Sequence, residues 1–102
     1  MTERDFQSAI IDLAHLRGYR IHHCRPAVTP SGKWATHISG DPGFCDLVLA
    51  KPGRILFLEV KSDRGRVTPD QVAWLAALDT VSGVTARVVR PEHWDWVVEA
   101  LT

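Results

Sequence analysis

The chain has few of the features that decide a protein's class at a glance. Its two cysteines, Cys24 and Cys45, make no disulfide framework, so a cystine-stapled secreted scaffold is excluded and reduced thiols are expected, with Cys45 buried in an apolar strand. No apolar run approaches the roughly 20 residues that span a bilayer, and the N-terminus has no charged-then-apolar signal pattern; a cytoplasmic protein without a membrane partner is expected. His22, His23, Cys24, His37 and Cys45 are soft ligands, but neither C-x2-C nor H-x3-5-H spacing is present, which argues against zinc. Net charge is zero, which argues against a non-specific nucleic-acid coat protein. The charge that is present is uneven. Residues 13–40 contain Arg17, Arg20, Arg25, Lys33 and four histidines but no acid, whereas residues 68–102 hold five acids against Arg87 and Arg90. A basic and an acidic side are expected, and because phosphate affinity follows the local patch, neutrality leaves DNA open as a substrate.

The 102 residues fit one domain, 1–102, with a single core. Its organising stretch runs from Gly43 to Gln71. Phe44 to Leu49 and Ile55 to Lys61 are β-rich apolar runs joined by Lys51-Pro52-Gly53-Arg54, a turn signal, so the unit reads as a β-hairpin. A carboxylate sits inside each strand, Asp46 and Glu59, and period-2 geometry puts Glu59 and Lys61 on one face. Burying unpaired charge is expensive, so something must compensate these groups. A solvated Glu/Lys ladder is one reading. The other is a site for a hard divalent cation, which takes carboxylates plus water, with Lys61 orienting or deprotonating an attacking water or stabilising a phosphorane-like charge.

Asp46, followed by Glu59-Val60-Lys61, resembles the PD-(D/E)xK nuclease signature. The longer run Gly43-x-x-Asp46-Leu47, Glu59-x-Lys61 and Gln71 on the next helix resembles the virus-type replication-repair nuclease (VRR-NUC) branch, in its stand-alone form. Glu3 matches a position on the opening helix where the superfamily often has Glu, and Cys45 stands where proline usually precedes the first Asp. The resemblance implies an α/β, restriction-endonuclease-like αβββαβα core with a central mixed sheet flanked by helices. It implies Mg²⁺ or Mn²⁺ held by Asp46, Glu59, the Val60 carbonyl and, through water, Glu3. It also implies Lys61 and Gln71 as partners in catalysis, and cleavage of branched or structured DNA of the Holliday-junction type. A non-catalytic DNA-binding module of the same fold and a nuclease for linear duplexes are the alternatives.

The other elements fit that order. Thr2 and Asp5 begin a helix over Glu3–Arg17 that Gly18 ends, and Tyr19–Cys24 reads as a strand. The aperiodic stretch Arg25–Asp41 carries Lys33, Trp34 and His37 into Asp46 and is expected to touch nucleic acid with Arg20 and Arg25. Arg64 and Arg66, beside Lys61, are phosphate candidates because guanidinium forks match phosphate oxygens. Thr68, Pro69 and Gln71 start a helix to Val81, in which Gln71 has a capping role whatever else it does. Thr85–Arg90 reads as a strand and Glu92–Leu101 as a helix. The Thr68 helix is apolar all round. With Val72, Leu75 and Ala76 expected against the sheet, Trp74, Ala77, Leu78 and Val81 remain as a second stripe, and Trp96 and Ala100 extend the pattern on the last helix; a homodimer is expected.

Overall fold

The chain's caps and turns form where their side chains ask for them. In the computed structural model, which describes residues 1–24, 27–28, 34–35 and 40–102, the Thr2 hydroxyl accepts a hydrogen bond from the Asp5 amide at 3.0 Å and opens α1, Glu3–Leu16. The helical repeat turns Phe6, Ile10 and Ala14 inward, all fully buried. β1, Arg20–His23, follows Gly18. β2, Ala27–Val28, and β3, Trp34–Ala35, pair with each other as a separate antiparallel ribbon. Strands of two residues are too short to show alternation, which is why this stretch reads as aperiodic. β4, Leu47–Lys51, and β5, Arg54–Val60, form the expected hairpin, its Pro52-Gly53 turn placing Gly53 at φ +78°. α2, Pro69–Asp79, β6, Val84–Val89, a 3-10 turn over Pro91–His93 and α3, Trp94–Ala100, complete the order.

The sheet runs β1-β4-β5-β6, antiparallel except for the parallel pair β5–β6. A parallel pair needs a long crossover, and α2 supplies it. The result is an α/β fold with a mixed four-stranded sheet flanked by helices, restriction-endonuclease-like as expected. Alternation along β5 sends Leu56, Leu58 and Val60 to one face, where they meet α1 and α3 in the main core with Phe6, Ile10, Leu47, Leu49, Val97 and Leu101. Phe57 goes to the other face, into a smaller cluster with Cys45, Val48, Leu75, Leu78 and Ala86 under α2.

The apolar stripes are arranged differently from the expectation. α2 packs through Leu75 and Leu78, while Val72 and Ala76 face solvent together with Ala73, Ala77 and Val81. A helix apolar all round carries no periodic record of its inner side, so periodicity could not choose between the two stripes. On α3, Ala100 is buried and Trp96 lies against the main core, with the Arg87 guanidinium 4.1 Å from its ring centroid, so neither extends an outer stripe. α3 packs with the main core and α2 with the opposite cluster, so α3 leaves the outer face of α2 uncovered. Among the described residues no helix is long and apolar enough to cross a membrane.

Candidate active site

Leu47–Leu58 is the last registered pair at the open end of the β4–β5 hairpin. Asp46 and Glu59 stand one residue beyond it, on the α2 side of the sheet. Asp46 is fixed twice: its Oδ2 accepts from the Val60 amide at 2.9 Å and its carbonyl from the Cys24 amide at 2.8 Å. Glu59 is 1% exposed, and among the described residues neither carboxylate oxygen receives a hydrogen bond. Among the described residues its ion-pair partner is Lys61, whose Nζ lies 3.7 Å from Oε1. The Lys61 amide donates to the Val89 carbonyl at 3.0 Å, so the backbone of the lysine is held by β6.

Burial, and after it the neighbouring Asp46 carboxyl, push the Glu59 pKa up to about 8, with Lys61 acting in the opposite direction. Two adjacent carboxyl groups, with both Glu59 oxygens buried and without a hydrogen bond among the described residues, carry a desolvation cost that a hard, oxygen-seeking divalent cation would offset. The thiols do not compete for that role. Burial first, then Asp46 and Glu59, raise the Cys24 pKa, and burial followed by Cys24, Glu59 and Asp46 pushes Cys45 up to about 12. Both are free thiols. Cys45, standing where the signature usually has proline, is buried under α2 and donates to the Leu47 carbonyl at 3.5 Å.

The segment before Asp46 is clamped to the start of α2. Gly43 has φ +94°, and a Cβ there would lie 2.6 Å from the Asp70 backbone and 2.8 Å from the Gln71 nitrogen. Only glycine allows this approach. Phe44 meets Trp74 and Phe57 edge-on, with centroids 5.0 and 6.1 Å apart, and the Trp74 indole donates to the Asp41 carbonyl at 3.3 Å. Gly43, Asp46 and Gln71 are thereby parts of one packed corner. Gln71 completes the capping box, its Oε1 accepting from the Thr68 amide at 2.9 Å and its own amide donating to Thr68 Oγ1 at 3.2 Å. The cap uses the side-chain oxygen and leaves the Gln71 side-chain NH2 without a partner among the described residues.

The other expected site residues are placed less closely. Arg64 and Arg66 are exposed in the loop after Lys61, and no carboxylate pairs with them among the described residues. Arg20 is exposed at the far end of β1, about 13 Å along the strand from the level of Cys24. Trp34 lies in β3, while Arg25, Lys33 and His37 fall outside the described residues. Glu3 is exposed in the first turn of α1, and among the described residues no group of three His, Cys, Asp or Glu side chains gathers to hold a metal. The side-chain ligands brought together are therefore Asp46 and Glu59. Sequence reasoning missed Arg90, whose guanidinium donates to the Ser62 and Gly65 carbonyls behind Lys61. An arginine at a strand end before Pro91 carries no signal of that contact.

Comparison with protein-family models gives one finding: the model described as VRR-NUC domain matches residues 3–92. Comparisons with curated proteins and with solved structures find no match.

Proposed function

The chain belongs to the VRR-NUC domain family, and from that premise we propose that it is a Mg²⁺- or Mn²⁺-dependent deoxyribonuclease that hydrolyses phosphodiester bonds in branched or structured DNA, four-way junctions above all. The observation that carries this reading is the buried Glu59 carboxyl group, without a hydrogen bond among the described residues, beside Asp46 and Lys61. Asp46 and Glu59, with the Val60 carbonyl and Glu3 through water, would hold the cation. Once bound, it would polarise the scissile phosphate and lower the pKa of water beside it. Lys61, freed from sole attachment to Glu59, orients the attacking water and neutralises charge on the phosphate, and the Gln71 NH2 steadies the lysine or the DNA. Arg64 and Arg66 contact flanking phosphates, with Arg25, Lys33, Trp34 and His37 as further candidates. A binding module of the same fold would have no use for the carboxylate pair and the lysine together, and that ranks it second.

The protein is proposed to act as a homodimer. The outer face of α2 exposes Val72 and Val81 by about half, with Ala73, Ala76 and Ala77 between them, and contiguous apolar patches of this kind mark interfaces. Two copies related by a two-fold axis would suit a junction that needs two symmetric cuts.

A cleavage panel tests the activity: four-way junction, flap, single strand and linear duplex, each with Mg²⁺, Mn²⁺ or excess EDTA. Metal-dependent junction cleavage that Asp46→Asn abolishes is expected. Turnover in EDTA, or an active Asp46→Asn protein, would refute the metal site, and preferred cutting of linear duplex would refute the substrate class. Sedimentation tests the dimer: the wild type is expected to sediment as two copies and Ala76→Glu as one.

A further inference from the structure

Parallel pairing of β5 with β6 sets the residue after β6, Arg90, beside the chain that leaves β5. That chain turns at once. The Gly65 amide donates to the Ser62 carbonyl at 3.2 Å and closes a β-turn with Asp63 and Arg64 at its central positions. Arg90 Nη1 donates to the Ser62 carbonyl at 2.7 Å and the Gly65 carbonyl at 2.8 Å, with the Asp63 carbonyl at 3.5 Å. The Arg90 backbone is held as well, its amide donating to His93 Nδ1 at 3.0 Å and its carbonyl accepting from the His93 amide at 2.8 Å. The turn in its turn folds back on the site, because a Cβ on Gly65 would meet the Lys61 Cδ at 3.4 Å. Arg90 is only half-buried, yet no carboxylate pairs with it among the described residues. A guanidinium spent on carbonyls of one turn, rather than on an acid, fixes that turn's shape.

We propose that Arg90 is a positioning residue: by gripping the 62–65 turn behind Lys61, it presents Arg64 to a phosphate of the nucleic acid. The phosphate contact rests on the nuclease reading above, whereas the grip on the turn stands on this geometry alone. Without Arg90 the turn keeps one backbone hydrogen bond, and Arg64 samples solvent instead of one direction. The loss of Arg64's contact then follows from the loss of Arg90, so the two residues act as a unit.

The test uses the full chain carrying Asp46→Asn, so that DNA is bound but not cut. In this background Arg64→Ala, Arg90→Ala and the double variant are titrated with a fluorescent four-way junction over a range of salt, and amide exchange at Gly65 is followed without DNA. Each single variant is expected to weaken binding roughly five- to tenfold and to lower the salt slope by about one phosphate, with the double no weaker than either. Gly65 exchange is expected to speed up about tenfold in Arg90→Ala while amides of β5 keep their protection. Additive losses, an unchanged Gly65 amide, or an Arg64→Ala variant that binds like its parent would each overturn the proposal. These outcomes leave the nuclease reading intact so long as the unmutated chain cuts DNA; a chain that neither binds nor cuts any DNA overturns both. Should Arg90→Ala fail to fold, Arg90→Met keeps the stem but removes the Nη1 donor, and the same non-additivity with Arg64→Ala is expected of it.

Discussion

Apart from Arg90, which grips the 62–65 turn, the two ends of the central sheet use their cations in opposite ways. At the closed end of the hairpin, Arg54 donates twice to the Ala100 carbonyl, at 2.9 and 2.6 Å, and Arg17 donates to the Val98 carbonyl. Lys51 lies 4.6 Å over the Tyr19 ring and donates to the Arg17 carbonyl at 3.4 Å. Positive charge is spent there on carbonyls at the C-termini of α3 and α1, where both the open acceptors and the helix dipole favour it. At the open end, Glu59 is buried without a hydrogen bond among the described residues, and Arg64 and Arg66 stand in solvent. A chain that satisfies its polar groups at one end has the means to do so at the other. Where a buried carboxylate has no hydrogen bond among the described residues, the cation proposed above would supply the missing partner.

Glu59→Gln breaks this contrast most sharply. Cleavage is expected to fall by more than roughly 10³-fold, because the proposed cation site would lose one of its two carboxylates. Stability of the metal-free protein moves the other way. A Glu59 pKa of about 8 in the folded state, against an ordinary 4.5, means that the folded protein keeps a proton that the unfolded chain has lost. Wild-type stability in EDTA should therefore be full below pH 4.5, fall between about pH 4.5 and 8 at up to about 1.4 kcal/mol per pH unit, and level off above. Urea melts in EDTA across that range should show the decline in the wild type and lose it in Glu59→Gln. Added Mg²⁺ should restabilise the wild type alone at pH 8. A flat wild-type profile would mean that the open end is satisfied after all.

Lys61→Ala comes next. Both proposed ligands remain, so metal titration should give near-wild-type affinity, while the rate at saturating metal falls roughly 10²-fold. Full rate at saturation would make Lys61 a mere counter-ion to Glu59. Gly43→Ala should act more mildly on cleavage, about tenfold, by pushing the Asp46 segment off the start of α2. Because its Cβ would meet the Asp70 backbone at 2.6 Å from a positive φ, it should also cost about 1–3 kcal/mol in a thermal melt.

The open end was the more legible of the two in the sequence, and the reason is physical. Charged residues inside apolar β runs break a pattern, so Asp46, Glu59 and Lys61 stand out, and period-2 geometry already puts Glu59 and Lys61 on one face. Caps are local, which is why Thr2 and Thr68 announced their helices. The significance of Gly43 was visible only as a motif letter, since the residue it must approach, Asp70, is far along the chain. Arg17 looked like part of the basic side, because composition cannot separate a cation bound to a carbonyl from one in solvent. The inner face of α2 and the grip of Arg90 are tertiary facts with no periodic trace.

Arg54→Ala probes the closed end and should have the smallest effect on cleavage. Its guanidinium makes two hydrogen bonds to one carbonyl, that of Ala100, whose side chain is itself in the main core. Losing them leaves a carbonyl at the end of α3 dependent on water, and the expected cost is about 2 kcal/mol, or roughly 10 °C in the melting temperature of a domain this size. Rate at saturating DNA and the salt slope of binding should match the wild type at a temperature where the variant is folded, because Arg54 lies at the opposite end of β5 from Glu59. Arg64→Ala should give the mirror result, an unchanged melt and a shallower salt slope. If Arg54→Ala instead flattened the salt slope without lowering the melting temperature, DNA would be reaching the closed end of the sheet, and the division between structural and functional cations would have to be redrawn.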